Sequence, residues 1–231
     1  TGHMLFKLVE NEKLPDNWED ILSSARINSS NAKKSKMNMI LDDLRNSYNE
    51  DINKAIESYE ESLKSIGYNS TSDYVDAWAK KIEYDINTMG EGATIYSLKN
   101  AGFSKEMLDM IDDPNITARD IATMYVNSKI ANIAEGLNRS RSGGKSSAVS
   151  DIIASVYEGQ NVDLNGKSLN YTYSHSAAYY EQDRLFIFHE IIANFTQLKL
   201  TGNEKTLKQL KQVFGKEFYS AVENTFNKMT K

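Results

Sequence analysis

A stripe of apolar residues between positions 37 and 63 constrains the fold more than any other feature of the sequence. Its members recur at steps of three and four positions, the spacing of residues on one face of an α-helix. The 231 residues include only two prolines, so few positions oppose a helix. The stripe therefore predicts one long helix that ends near Gly67 and buries one face. The members of the stripe are Met37, Leu41, Leu44, Tyr48, Ile52, Ile56, Tyr59 and Leu63.

Helical periodicity continues over most of the remaining chain. A second helix around residues 74–86 is expected to pack antiparallel on the first, and short helices are expected within residues 91–113. Thr117 and Asp120 resemble a capping box, which predicts a helix that starts there and ends by Gly136. Later predicted helices cover residues 146–157, residues 184–200 and two amphipathic segments beyond residue 202.

One segment departs from helical periodicity. Residues 162–173 alternate between apolar and polar side chains around Asn165-Gly166, a dipeptide that favours the turn of a β-hairpin. The predicted fold is therefore mainly α, and it belongs to the α+β class because of this one small hairpin. It has an N-terminal helical hairpin or arm over residues 1–90, followed by a compact helical module with one small β-hairpin over residues 91–231.

Composition excludes several classes of function. The chain has no cysteine, so thiolate metal sites and disulfides are excluded. The net charge of −5 and the pI near 5.4 argue against general binding to nucleic acids or anionic membranes, which needs clustered Lys and Arg. No apolar run reaches the ~18 residues of a membrane-spanning helix, and no signal-peptide pattern follows residues 1–3, which are typical of a cloning remnant. A cytoplasmic or virion-associated protein is expected.

One basic stretch, residues 138–147, combines Arg139, Arg141 and Lys145 with glycines and serines. Its Gly-Gly-Lys-Ser ending is similar to the end of a phosphate-binding loop, but the earlier glycine of such a loop is absent. Gly and Ser clusters between periodic segments are typical of loops. The stretch is therefore predicted to be a mobile linker without a phosphate site.

Candidate chemistry is concentrated in the last third of the chain. His189 and Glu190 lie inside the apolar segment 184–200, and a buried glutamate must be paired, metal-bound or protonated. Consecutive helical residues point about 100° apart, so these two side chains are poorly placed to bind one ion. We expect His175, from the loop after the hairpin, to meet Glu190 in a polar pocket. Its further predicted members are Tyr179, Asp151, His189 and Asn194.

The residue types allow two roles for this pocket. His175 can act as an acid or base with Glu190 as its partner and Tyr179 beside them, which makes these three the candidate catalytic residues. Alternatively, His175 only anchors the hairpin to the helix by a hydrogen bond to Glu190. A metal, for which zinc is the candidate, would be held by His175 and Glu190. Zinc normally needs three protein ligands, so no cofactor is expected.

Short motifs give the second half of the chain a family resemblance. They are Ser150-Asp151-Ile152, then His175 with Tyr179 and Tyr180, then Glu190 with Ala193-Asn194-Phe195. In the order and approximate spacing of these motifs, residues 120–231 resemble the metallopeptidase-like C-terminal modules of phage minor head proteins of the Mu-type head-morphogenesis group. The resemblance implies a zinc-peptidase frame, a buried helix that carries Glu190, and phage capsid or portal components as protein partners.

The sequence also departs from that family. His189-Glu190 begins a His-Glu-x-x-His zinc motif, but Ala193 stands where the second histidine belongs. The predicted helix at 117–136 has no histidine, although the family has its zinc motif upstream. Ser174 replaces a glycine and Tyr180 replaces a tryptophan. Our first hypothesis is therefore a degenerate peptidase module, a pseudoenzyme with a structural or interaction role.

Two further hypotheses stay open. In one, the chain is an active effector or toxin-type hydrolase that uses His175 and Glu190 in a site unlike that of zinc peptidases. In the other, it is a helical partner-binding protein whose stripe over residues 37–63 forms an intermolecular helix contact and thereby an oligomer.

Overall fold

A computed structural model describes residues 12–32, 34–159, 173, 175 and 177–230. Most of these residues are helical and none of them lies in a strand, so the predicted mainly α class is confirmed. The predicted β-hairpin at residues 162–173 lies outside the described residues apart from Tyr173.

Capping side chains and turns set the bounds of the helices. The helices in chain order are α1 (Trp18–Asn31), α2 (Lys34–Ser65), α3 (Thr71–Met89), α4 (Glu91–Asn100), α5 (Lys105–Leu108), α6 (Ala118–Ser142), α7 (Lys145–Val156), α8 (Ala177–Tyr180), α9 (Arg184–Leu200), α10 (Glu204–Phe214) and α11 (Lys216–Met229). Helix α9 has the predicted bounds, and Asp183 caps it by accepting a hydrogen bond from the Leu185 amide at 2.8 Å. None of the described helices combines the length and the apolarity that crossing a bilayer requires.

The chain divides into two compact units. The first consists of Thr1–Glu50 with Leu137–Lys231, and the second consists of Asp51–Gly136. Helices α2 and α6 each have one part in the first unit and the other part in the second. The domain boundary predicted near residue 90 lies between α3 and α4, within the second unit. The division into domains at residues 1–90 and 91–231 stays a prediction.

Helix α9 forms the centre of the first unit. Its apolar residues lie on all sides, which is typical of a helix surrounded by protein, and α7, α10 and α11 pack around it. Ile187, Phe188 and Ile191 are fully buried. Trp18, at the start of α1, packs edge-on against Phe188 with ring centroids 4.9 Å apart. Polar side chains on α9 therefore need protein partners.

The apolar stripe on α2 is buried or half-buried along its length. Met37, Leu41 and Leu44 join the core of the first unit, and Leu63 is buried in the second. The helix ends at Ser65, two residues before the predicted Gly67, whose φ of 95° explains the break. The half-buried members of the stripe are Tyr48, Ile52, Ile56 and Tyr59. Met37, Leu41 and Leu44 therefore pack within the chain itself.

Aromatic side chains fill the core of the second unit. Phe103 and Tyr125 stack with ring centroids 3.9 Å apart, and Trp78 packs edge-on against both. Tyr59 of α2 meets Tyr74 of α3 edge-on, with ring centroids 6.3 Å apart. Edge-to-face and offset pairs of this kind add to the stabilisation from burial.

The basic stretch at residues 138–147 is not a linker, and that prediction is wrong. Helices α6 and α7 are separated only by Gly143 and Gly144, both at positive φ. The buried Asn138 side chain accepts hydrogen bonds from the Ser147 hydroxyl at 2.9 Å and from the Ser147 amide at 3.4 Å, which caps the first turn of α7. The two glycines form a tight turn, and the serines that suggested a loop lie in the helices on either side of it.

Candidate functional site

Glu190 lies buried on α9, and both of its carboxylate oxygens accept hydrogen bonds. The Tyr179 hydroxyl donates to Oε1 at 2.8 Å. Asn194 donates through Nδ2 to Oε2 at 3.2 Å and to the Glu190 carbonyl at 2.9 Å. Asn194 follows Glu190 by four positions and so lies on the same face of the helix. These bonds give a buried carboxylate the partners that it requires.

His175 lies beside Glu190 at the edge of this cluster. Its Nε2 is 3.6 Å from Glu190 Oε1, which is too long for a hydrogen bond but within range of an ion pair when the imidazole is protonated. The ring stacks on Tyr179 with centroids 4.0 Å apart and an interplanar angle of 20°. The His175 side chain is 46% exposed, so nearly half of it remains accessible to solvent.

The two tyrosines of α8 stay protonated at neutral pH. Burial raises the pKa of Tyr179, and its hydrogen bond to Glu190 raises that pKa further. Burial also raises the pKa of Tyr180, as does the negative charge of Asp151 on α7. Tyr179 is therefore a hydrogen-bond donor to Glu190, and Asp151 contributes to the same electrostatic environment.

Ser155 is a member of this cluster that the sequence analysis did not identify. Its hydroxyl donates to the hydroxyl of Tyr180 at 3.3 Å, and the Tyr180 side chain is almost fully buried. Ser155 follows Asp151 by four positions, so both lie on one face of α7. This spacing was the signal that could have identified it.

His189 lies away from the cluster although it directly precedes Glu190. Its ring is buried, and Nε2 is 3.2 Å from the backbone carbonyl of Glu12. Consecutive side chains leave a helix about 100° apart, which explains why the two have different partners. Of the residues predicted for the pocket, the structure brings together Asp151, His175, Tyr179, Glu190 and Asn194 and leaves His189 outside.

The cluster does not match the ligand set of a zinc site. Within the part of the chain that the structure describes, no three His, Asp or Glu side chains are grouped so that they could hold a metal. His175 and Glu190 form a single pair, and the oxygens of Glu190 already accept bonds from Tyr179 and Asn194. Zinc in proteins normally has at least three protein ligands. The arrangement is suited to hydrogen bonding and to proton transfer at His175.

Comparisons with known proteins do not indicate a function for this chain. The sequence matches no known protein family, and its comparison with curated proteins and with solved structures found no significant similarity. The chemistry of His175, Tyr179 and Glu190 is therefore the basis of the functional argument.

Proposed function

We propose that this chain is a metallopeptidase-like helical module of the kind attached to phage minor head proteins, with a structural or interaction role in place of zinc-dependent catalysis. One observation carries the proposal: both oxygens of the Glu190 carboxylate are engaged, by Tyr179 and by Asn194. These bonds give the carboxylate a structural role, and although each oxygen has a second lone pair, only His175 among the described residues lies beside it as a possible metal ligand, whereas zinc normally needs three protein ligands. Here the carboxylate holds α8 against α9.

The meeting of three separate motifs also supports the proposal. Asp151 of α7, His175 with Tyr179, and Glu190 come from distant parts of the sequence and contribute to one cluster. A frame with these contacts, and with no zinc ligand set among the described residues, fits a degenerate member of such a family, whose partners are capsid or portal proteins. Immunodetection of the chain in purified virions of the encoding phage tests this partner assignment, and a chain found only outside the virions contradicts it.

Substitutions at Tyr179 and His175 test the anchoring role. Tyr179→Phe removes the hydroxyl donor to a buried carboxylate, so we expect the free energy of unfolding to fall by about 1.5–3 kcal/mol. His175→Ala removes a half-exposed ring that lies beyond hydrogen-bond distance, so we expect a change below ~1 kcal/mol. Urea denaturation measures both. Tyr84→Phe, which alters an exposed tyrosine, is the control.

The exposure of His175 favours a second candidate, a hydrolase of the effector or toxin type. An imidazole beside a buried carboxylate can act as a general base. In this mechanism His175 accepts a proton from the water that attacks the carbonyl carbon of the substrate, and Glu190 stabilises the resulting imidazolium. The scissile bond then breaks, the imidazolium returns the proton to the leaving group, and Tyr179 donates to the carboxylate throughout. His175→Ala would then fold normally and lose all hydrolysis of p-nitrophenyl acetate or casein.

The same variants separate the two candidates. A destabilised Tyr179→Phe, together with no hydrolysis of either substrate by the wild-type protein, supports the structural role. Tyr179→Phe with wild-type stability refutes the anchor. Hydrolysis that disappears in a stable His175→Ala protein replaces the structural role with the enzymatic one.

A further inference from the structure

A glutamate occupies a backbone position that favours glycine at the end of α7. Glu158 has a φ of 57°, in the left-handed region. Its amide donates to the Ser155 carbonyl at 3.2 Å, and the Gly159 amide donates to the Ala154 carbonyl at 2.8 Å. This is the pattern of a Schellman motif, in which the first residue beyond the cap is usually glycine. A residue with a Cβ atom is strained there, so the Glu158 side chain is expected to make a compensating contact.

The Glu158 carboxylate makes that contact with two arginines. Arg26 of α1 donates to Oε1 at 2.5 Å, and Arg184, the first residue of α9, lies 2.8 Å from the same oxygen. Arg26 also donates through Nε to the Val156 carbonyl at 2.6 Å. Burial raises the pKa of Glu158, but hydrogen bonds from Arg184 and Arg26 outweigh burial and lower that pKa below its ordinary value. The charged carboxylate therefore joins the end of α7 to α1 and to the start of α9.

Glu158 follows the end of α7 and Arg184 begins α9, and both helices carry residues of the candidate site. On α9, Glu190 follows Arg184 by less than two turns. On α7, Ser155 donates to the hydroxyl of Tyr180 at 3.3 Å. The chain between α7 and α9 includes α8 and the remaining residues of the site. Arg184, which also pairs with Glu19 of α1, thus links the two ends of the segment that completes the site.

We infer that Glu158 is a positioning residue for the site formed by His175, Tyr179 and Glu190. Through Arg184 it fixes the start of α9 against the end of α7. It thereby fixes both ends of the segment that brings His175 and Tyr179 to Glu190. Holding both ends of a segment reduces the entropy that is lost when His175 and Tyr179 take up their positions beside Glu190. The inference rests on the proposed function only in taking this site as the functional one. It applies equally to an anchor and to a catalytic pair.

NMR spectra of Glu158→Gly and Glu158→Gln test this role at the site itself. The full chain has three histidines, so the ring protons of His175 can be assigned, and stacking on Tyr179 gives them a ring-current shift. We expect both variants to fold and to lose most of that shift, while the ring protons of His189 keep their wild-type positions. Glu204→Gln removes an exposed ion pair with a lysine in the same unit, and this control should leave both histidines unchanged.

Two outcomes decide the inference. A wild-type shift of His175 in the folded variants overturns it, because Glu158 then only stabilises the end of α7. Loss of the shift at a temperature where the variants are fully folded supports it, because a purely stabilising contact lowers the melting temperature and leaves the native signals of His175 in place. If Glu158→Gly fails to fold, Glu158→Gln decides alone by the same criterion. The ring-proton shifts of His175 and His189 depend neither on metal content nor on activity, so this inference and the proposed function can fail separately.

Discussion

Single residues on α9 illustrate how a buried polar group obtains a partner. Glu190 is satisfied nearby, by Tyr179 and by Asn194 one turn later. His189 is satisfied by the backbone carbonyl of Glu12, which is distant in sequence. An unpaired buried group costs about 1–3 kcal/mol, so each of these contacts favours a particular segment packing against α9.

Gly144 is the residue whose replacement tests the turn between α6 and α7. Its φ of 77° lies in the left-handed region, and a Cβ atom there would collide with Nε2 of Gln197, which donates to the Gly143 carbonyl at 2.7 Å. We expect Gly144→Ala to lower the free energy of unfolding by about 1–2 kcal/mol through backbone strain. Loss of the Gln197 hydrogen bond adds about 0.5–1.5 kcal/mol. Urea denaturation measures the total.

The control for this prediction is Gly144→Ala in a Gln197→Ala background. The side chain that the new Cβ atom would meet is then absent, so only the backbone strain remains and the loss should be smaller. Equal losses in the two backgrounds would show that Gln197 is not coupled to the turn. No loss in either background would be incompatible with a left-handed Gly144.

The sequence predicted the members of the candidate site whose contacts are decided by local spacing and chemistry. A buried Glu190 required donors, and helical spacing identified Asn194 while the adjacent motif identified Tyr179. The partner of His189 could not be predicted in this way. Its contact is with a backbone carbonyl, which every residue has, so the identity of Glu12 carried no signal.

At the level of helices, a local capping pattern predicted where α6 begins. The Thr117 amide donates to Asp120 Oδ2 at 2.9 Å, and the Asp120 amide donates to Thr117 Oγ1 at 3.2 Å, which is a capping box with Asp in the place of Glu. The other end of α6 was predicted at Gly136 but lies at Ser142. A glycine within a helix costs only about 1 kcal/mol relative to alanine, so packing and the cap from Asn138 outweigh it.

Two nearby positions on α2 test whether its apolar stripe is core or interface. Leu41 is 5% exposed and Met39 is 57% exposed. We expect Leu41→Ala to lower the free energy of unfolding by about 2–5 kcal/mol, because it leaves a cavity in the core. Met39→Ala should change it by less than ~0.5 kcal/mol. Light scattering should give the same molar mass for both variants and for the wild-type protein.

The opposite pattern would revive the helical partner-binding hypothesis. In that case Leu41→Ala would leave the stability of the subunit unchanged and would convert an oligomer into a monomer. Matched measurement of unfolding and molar mass on each variant therefore distinguishes a core contact from an intermolecular one.

For the whole molecule, the division into two units has no local signature in the sequence. The first unit is discontinuous, since α2 leads the chain into Asp51–Gly136 and α6 leads it back. Periodicity reports which face of a helix is apolar, but it does not report which distant helix covers that face. The helical class was therefore predictable, while the packing of α7, α10 and α11 around α9 was not.

The first unit as a whole is proposed to hold Glu190 through protein hydrogen bonds and without a metal. The decisive experiment is elemental analysis of untagged protein purified without chelator, combined with thermal unfolding before and after addition of EDTA. We expect zinc well below one equivalent and the same melting temperature in both conditions. Zinc at one equivalent per chain, with a melting temperature that falls in EDTA, would contradict the proposal and would mean that Glu190 and His175 share an ion with further ligands.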